Sequence, residues 1–393
     1  MKIVKMLAIL LIFLSTFHME KVYAADDNNN ELIIDEQMNS GEVKKIENQL
    51  KKYSQQGASE LIIEYDPQKL IKDITKGNFG FSLKGILWRT VRFLFEEIYI
   101  NINILIKLMV LVVLCAILRN LQSSFLSESV GELAFYACYV VLVSVIMLSF
   151  STSIGLARDI IDSMVSFMQA TVPVLITLLV SGGNITSAGI FQPVLIMIVE
   201  VAATIIKNVF IPLIFLATVL SIVNNISDKL QISKLAGFLK QIGGWALGII
   251  LTVFIAVISI QGSLGAVVDG VASKTAKFAI STFIPVAGKI LADAADAVVG
   301  CSLLIKNAAG VAVMIGIIAM CLVPLLKMLA LIALYRITCV LIEPVSEKRI
   351  TNCINDIADS MTFLIGIVAS VAFMFLISIT AIISAGNISA MIR

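Results

Sequence analysis

VAVMIGIIAMCLVPLLKMLALIALYRITCVLI, residues 311–342, carries only two charges, Lys327 and Arg336. A helix crosses a hydrocarbon core with about 20 apolar residues. This run is therefore long for one span and short for two. Either two short spans, 311–326 and 328–342, meet in a tight hairpin at Lys327, or the run is one long, bent helix. Both readings are helical, because a segment in lipid has to satisfy its backbone N–H and C=O groups internally.

The same choice recurs upstream. Apolar runs occupy 98–118, 133–150, 164–180, 190–206, 209–223 and 245–260, and a last one covers 361–385. Lys207 and Asn208 separate 190–206 from 209–223 as Lys327 separates the later pair. The pattern predicts an all-α, polytopic membrane helix bundle of about eight spans, two more or fewer. Pro173, Pro193, Pro212 and Pro324 lie within or at the ends of these runs and predict kinks or breaks.

Charge divides the chain further. Of 393 residues 59% are hydrophobic and 14% charged, against about 25% charged in a soluble domain. Residues 25–97 hold 23 of the 56 charged side chains, whereas 98–393 hold 29. Lys2 and Lys5 precede an apolar run over 6–17, and Val22-Tyr23-Ala24 offers a cleavage site. Residues 1–24 thus read as a signal peptide and 25–97 as a small exported helical domain. An uncleaved signal anchor would leave the topology unchanged and add one helix. Residues 98–260 form a first membrane region, 261–310 an amphipathic and re-entrant-like region, and 311–393 a C-terminal membrane region.

Within 25–97, Val43, Ile46, Leu50 and Tyr53 recur at helical spacing between Lys44, Lys45, Glu47, Lys51 and Lys52. Phe79, Phe81, Trp88 and Phe93 suit a membrane interface. A core of this size with no cysteine to staple it is marginal, so packing against the membrane body or a partner is expected.

Positive charge orients the loops. Lys229, Lys234 and Lys240 place 224–243 on the cytoplasmic side, and counting five spans from an exported N-terminus agrees. The same count puts 343–360, with Lys348 and Arg349, outside, against the rule. A miscount of one span near Lys327 would reconcile them.

Region 261–310 is neither a plain span nor a polar loop. Asp269, Lys274, Lys277, Lys289, Asp293, Asp296 and Lys306 alternate with small and apolar residues. Lys289, Asp293 and Asp296 share one face of a helix. Gly262, Gly265, Gly270, Gly288, Gly300 and Pro285 predict broken helices. Two readings stand: a pair of interfacial amphipathic helices, or a re-entrant lining of a conduit. Elsewhere Lys107, Glu200, Lys207, Lys327 and Arg336 lie in or near apolar runs. Basic residues near helix ends snorkel to the interface. Glu200 has no such excuse and joins the candidates for transport or inter-helix pairing.

Several chemistries have no support. There is no phosphate loop, no H-E-x-x-H and no G-x-S-x-G. The single histidine, His18, lies in the signal, and the six cysteines form no C-x-x-C pair. The formal net charge of +2, with no aromatic-interleaved basic patch, argues against nucleic acid. The expectation is no enzyme, no cofactor and no metal site. One faint internal similarity links Ser181-Gly182-Gly183-Asn184-Ile185-Thr186-Ser187-Ala188 to Ser384-Ala385-Gly386-Asn387-Ile388-Ser389-Ala390-Met391.

The wording from Gln261 onward is distinctive. Val267-Val268-Asp269-Gly270, Lys274-Thr275-Ala276-Lys277-Phe278, Phe283-Ile284-Pro285-Val286, Asp293-Ala294-Ala295-Asp296 and Leu303-Leu304-Ile305-Lys306-Asn307 resemble the stage III sporulation protein AE family. The resemblance extends over nearly the whole chain and is loosest in 25–97. It implies a polytopic protein of the mother-cell membrane in endospore-forming bacteria. It also implies a complex with a secretion-type ATPase, small membrane proteins and ring-forming extracytoplasmic proteins. That complex would act as a channel or specialised secretion system sustaining the engulfed forespore and its late sigma-factor activity. The residues themselves leave two alternatives open: an autonomous ion-coupled permease for a small solute, or a pure assembly scaffold.

Overall fold

Runs that are apolar on every side suit helices buried in a core or in lipid. In the computed structural model the described residues are 38, 40–54, 66–75, 83–122, 128–226, 232–283 and 287–392, and every regular element among them is helical. In chain order these are α1 (Gly41–Ser54), α2 (Pro67–Thr75), α3 (Leu83–Ile100), α4 (Ile102–Gln122), α5 (Glu128–Ser181) and α6 (Ile185–Ile205). A π turn (Ile206–Phe210) leads into α7 (Ile211–Ile226), followed by α8 (Ser233–Phe283), α9 (Gly288–Ile342) and α10 (Lys348–Ile392). The signal at 1–24 lies outside the described residues, as do Phe79, Phe81, Lys229 and Pro285.

The apolar runs do not map one to one onto helices. Runs 133–150 and 164–180 are both parts of α5, and 311–326 and 328–342 are both parts of α9. Runs 190–206 and 209–223 are joined through the π turn. Among the described residues, five helices are long and apolar enough to cross a membrane, or six if the bent pair Lys84–Ile100 and Ile102–Leu118 counts as one span. The expected count of about eight is therefore not reached: six is the lower edge of the range read from the sequence, and five lies below it.

The mergers have a physical cause. A tight hairpin needs turn-forming residues, and Lys327 sits between Leu325-Leu326 and Met328-Leu329. Its charge is met instead by Glu97 of α3, 3.7 Å away. Lys207 likewise reaches both oxygens of Asp162, at 2.7 and 2.6 Å. The π turn falls where Pro212 cannot donate to the preceding helical turn, which widens the ladder without breaking it. Pro173, Pro193 and Pro324 lie inside continuous helices, so the expected breaks there do not occur.

The body is an antiparallel bundle. α9 and α10 meet along their length, from Asn307 Nδ2 donating to Asn387 Oδ1 (3.1 Å) to Arg336 donating to Asn355 (2.7 Å) and Asp359 (2.5 Å). α5 runs against α9, with Cys321 Sγ 3.0 Å from Met164 Sδ. α1 buries Val43, Ile46 and Leu50, and its Tyr53 ring meets Phe167 of α5 edge-on at 5.5 Å. α2 buries Leu70, Ile71 and Ile74, and Gln68 donates to Glu47 of α1. The two helices thus close their apolar faces, as the marginal size of the segment requires.

Region 261–310 is two helical segments, with the interruption between Phe283 and Gly288 and none at Gly262, Gly265, Gly270 or Gly300. Residues 261–283 simply continue α8, and 288–310 open α9, so the two form the arms of a helical hairpin. Its glycines are close-approach points more than breaks. A Cβ on Gly265 would lie 2.8 Å from Ser187 Oγ, and one on Gly270 2.7 Å from Ile392 Cβ.

Candidate functional site

The turn between α5 and α6 is where the chain concentrates buried polarity. Gly183 has φ 77°, a conformation open to glycine, and it lets Asn184 fold back under the end of α5. Asn184 is fully buried, and its Nδ2 donates to Gly182 O at 3.1 Å. α6 starts one residue later with free N–H groups. Asp269 of α8 supplies the missing acceptors: Thr186 N donates to its Oδ1 at 2.8 Å and Ser187 N to its Oδ2 at 2.7 Å. Asp269 is only 3% exposed. A carboxylate here is stabilised by two charge-assisted bonds and by the positive end of the α6 dipole.

The end of α10 arrives at the same place. Lys306 of α9 is fully buried, and its Nζ donates to Ile383 O at 2.9 Å. It lies so close to Gly386 that a Cβ there would collide with Nζ. Leu303 Cδ2 would be 3.0 Å from a Cβ on Gly182 and 2.9 Å from one on Gly386. The two similar segments, 181–188 and 384–391, therefore pack side by side against Leu303 of α9. On the other side α8 touches both, with Gly265 against Ser187 and Gly270 against Ser389 O. Asn184 Oδ1, Ser187 Oγ, Asn307 Oδ1 and Ser389 Oγ are buried here with no partner among the described residues. The cluster has unused hydrogen-bonding capacity in a region where buried polar groups are ordinarily satisfied.

The candidates read from the sequence separate. Asp269 belongs to this cluster. Lys277 pairs with Asp296 across the α8–α9 hairpin at 2.5 Å. Lys274 and Asp293 are exposed on its two arms, and Lys289 lies on the first turn of α9, its side chain outside the description. Glu200 of α6 accepts from Gln169 Nε2 of α5 at 2.6 Å, an inter-helix pair. Lys306, Asn184 and Gly386 were not singled out by the sequence reading as site residues. The signal for Asn184 and Gly386 was the faint repeat, whose two copies carry Gly182, Asn184, Gly386 and Asn387, and the signal for Lys306 was its place among the charges of 261–310. Among the described residues no three His, Cys, Asp or Glu side chains gather at metal-binding distance.

These features define a class: a protein of long, apolar helices that fits a membrane, with its buried charges used to lock helix ends together. Residues 65–386 match the family described as stage III sporulation protein AE. The chain is 35% identical, over 323 residues, to "Stage III sporulation protein AE" of Bacillus subtilis (strain 168), covering 82% of this chain and 81% of that protein. This chain belongs to the stage III sporulation protein AE family, and that membership supports a role in sporulation. No solved structure matches it.

Proposed function

We propose that this chain is a non-enzymatic membrane component of a sporulation channel or specialised secretion complex. It would reside in the mother-cell membrane and be needed for forespore development and late forespore sigma-factor activity after engulfment. The observation that carries this reading is family membership over residues 65–386, on a bundle with five or six helices apolar enough to span. The partners are a secretion-type ATPase, small membrane proteins and ring-forming extracytoplasmic proteins. Residues 25–97 lie outside the cytoplasm, as the signal at 1–24 implies.

Helix counting supports this orientation. With the bent α3–α4 pair as one span, three spans precede residues 227–231, which puts them inside from an exported start. α9 as one span then puts 343–347 inside too. Lys348 and Arg349, which conflicted with the positive-inside rule, now obey it. Asn225 Nδ2 donates to Asp356 Oδ2 at 3.0 Å, so the two cytoplasmic ends are neighbours.

The test is deletion and complementation in the spore-forming host. Development should arrest after engulfment, with late forespore transcription lost and restored by the full chain. Sporulation that proceeds unchanged past engulfment would sink the reading. An autonomous permease is the second reading, carried by the Gln169–Glu200 pair; it requires transport by the purified chain alone.

A further inference from the structure

The packing of α1 marks where the bilayer ends. Tyr53 of α1 lies against Leu156, Asp159, Met320 and Pro324 and meets the ring of Phe167. Lys44, Lys45, Lys51 and Lys52 of the same helix are exposed, as are Arg158 and Asp159 of α5. Lipid penalises such a set of charges, so this level is in water. Lys207 pairs with Asp162 here. Measured from the turns at 227–231 and 343–347, Lys207 and Pro324 are each about 20 residues along their helices, roughly 30 Å at 1.5 Å per residue. That is the thickness of one hydrocarbon core. Everything farther from those turns stands outside the bilayer. Glu200 of α6 belongs to that part, since it meets Gln169 beyond Phe167. So does α8 from about Gly262 on, since a Cβ on Gly262 would lie 3.6 Å from Phe191 of α6.

The two sides of this outer part differ. α5 exposes Ser166, Gln169 and Thr177. α6 exposes Ile190, Met197 and Val201, and α8 beside it exposes Leu264, Val267, Val268 and Val271. α6 carries no charge between Ile185 and Val199, and α8 none between Gln241 and Val268. The exposed fractions of these apolar side chains amount to on the order of 700 Å², more than the largest patch of about 300–600 Å² on an ordinary monomer. Each partner gives roughly 800 Å² to a stable interface. Within the bilayer lipid covers such a face; outside it the cover is protein.

We infer that this α6–α8 flank joins two copies of the chain outside the bilayer. The inference rests on the orientation proposed above. Two copies in one membrane stand the same way up and at the same height. A two-fold axis along the membrane normal therefore sets flank against flank over its whole length. An uncharged face meets its own image without like-charge opposition, and it offers a strongly charged partner no counter-charge.

The experiment is cross-linking of single cysteines in the full chain, in membranes of sporulating cells, on a background without the six native cysteines. Should that background not accumulate, the native one serves, because five of its six cysteines are buried. Cysteines go at 197, 264 and 268 on the flank and at 151 and 166 on the polar side of α5. A short bis-maleimide should join flank cysteines into a species of twice the chain's mass, at least tenfold more than at 151 or 166. Leu264→Glu with Val268→Glu should abolish the species formed through a cysteine at 197, and Leu264→Met should keep it. Absence of that species at every flank position overturns the inference, and so does equal yield from both sides. An adduct of another mass means that a different protein covers the flank. Flank cysteines that react only with a lipid-soluble reagent mean that the bilayer does. Either result overturns the inference too. A topology reporter at 286 separates the two failures: in the cytoplasm it sinks the orientation, and outside, with no dimer, it sinks this inference alone.

Discussion

Asp269 shows how a residue that reads as a functional charge in an apolar chain acts as a brace. Its two oxygens accept from the N–H groups of Thr186 and Ser187 in the first turn of α6. Asp269→Ala leaves both buried and unpaired, each costing about 1–3 kcal/mol. Asp269→Asn keeps one acceptor. Thermal unfolding of the purified protein in detergent should fall in the order wild type, Asn, Ala. Equal midpoints for Asn and Ala would show that the carboxylate is not the cap. Lys306 and Gly386 make a second residue-scale test. Gly386→Ala puts a methyl into Lys306 Nζ, so the lysine has to leave its bond to Ile383. Gly386→Ala should destabilise by roughly 1–3 kcal/mol, as overpacking does. Lys306→Met should recover part of that loss in the double variant, because contacting residues couple. Strict additivity would contradict the contact. The sequence showed Asp269 as a charge in a distinctive stretch, and it showed the repeat. It could not show that the repeat's two copies meet, because 203 positions separate Gly182 from its counterpart near the other end, and only the packing of α8 and α9 brings them together.

Elements were legible in kind and misjudged in extent. Every apolar run among the described residues is helical, and the amphipathic spacing of Val43, Ile46 and Leu50 is the buried face of α1. The missing information was at Lys207 and Lys327. A lone charge reads as the end of a span, yet Asp162 and Glu97 neutralise these two from other helices, and hydropathy along the chain is blind to such partners. Gly262, Gly265, Gly270 and Gly300 misled similarly, since a glycine that permits close packing and one that breaks a helix look alike in sequence, whereas Gly288 does stand at an interruption. The continuity of α9 has a direct consequence. Topology reporters inserted at 286 and 345 should lie on opposite sides of the membrane. A hairpin at Lys327 would put them on the same side.

For the whole molecule, the helices carry more length than a bilayer needs. α5, α8, α9 and α10 have 54, 51, 55 and 45 residues, about 68–82 Å at 1.5 Å per residue. The surplus suits a protein that both crosses a membrane and presents surfaces beyond it, as a subunit of an assembly does. Fold class was readable from composition because a chain 59% hydrophobic and 14% charged suits helices in lipid. The proposed assembly was not, since its partners would be other chains. The most direct measurement is to purify the tagged full chain from membranes of sporulating cells in mild detergent, identify what accompanies it, and assay it alone in liposomes. The account predicts a large assembly containing the ATPase and ring-forming proteins, and no solute movement by the isolated chain. A chain that purifies alone and moves a solute down an ion gradient by itself would contradict it.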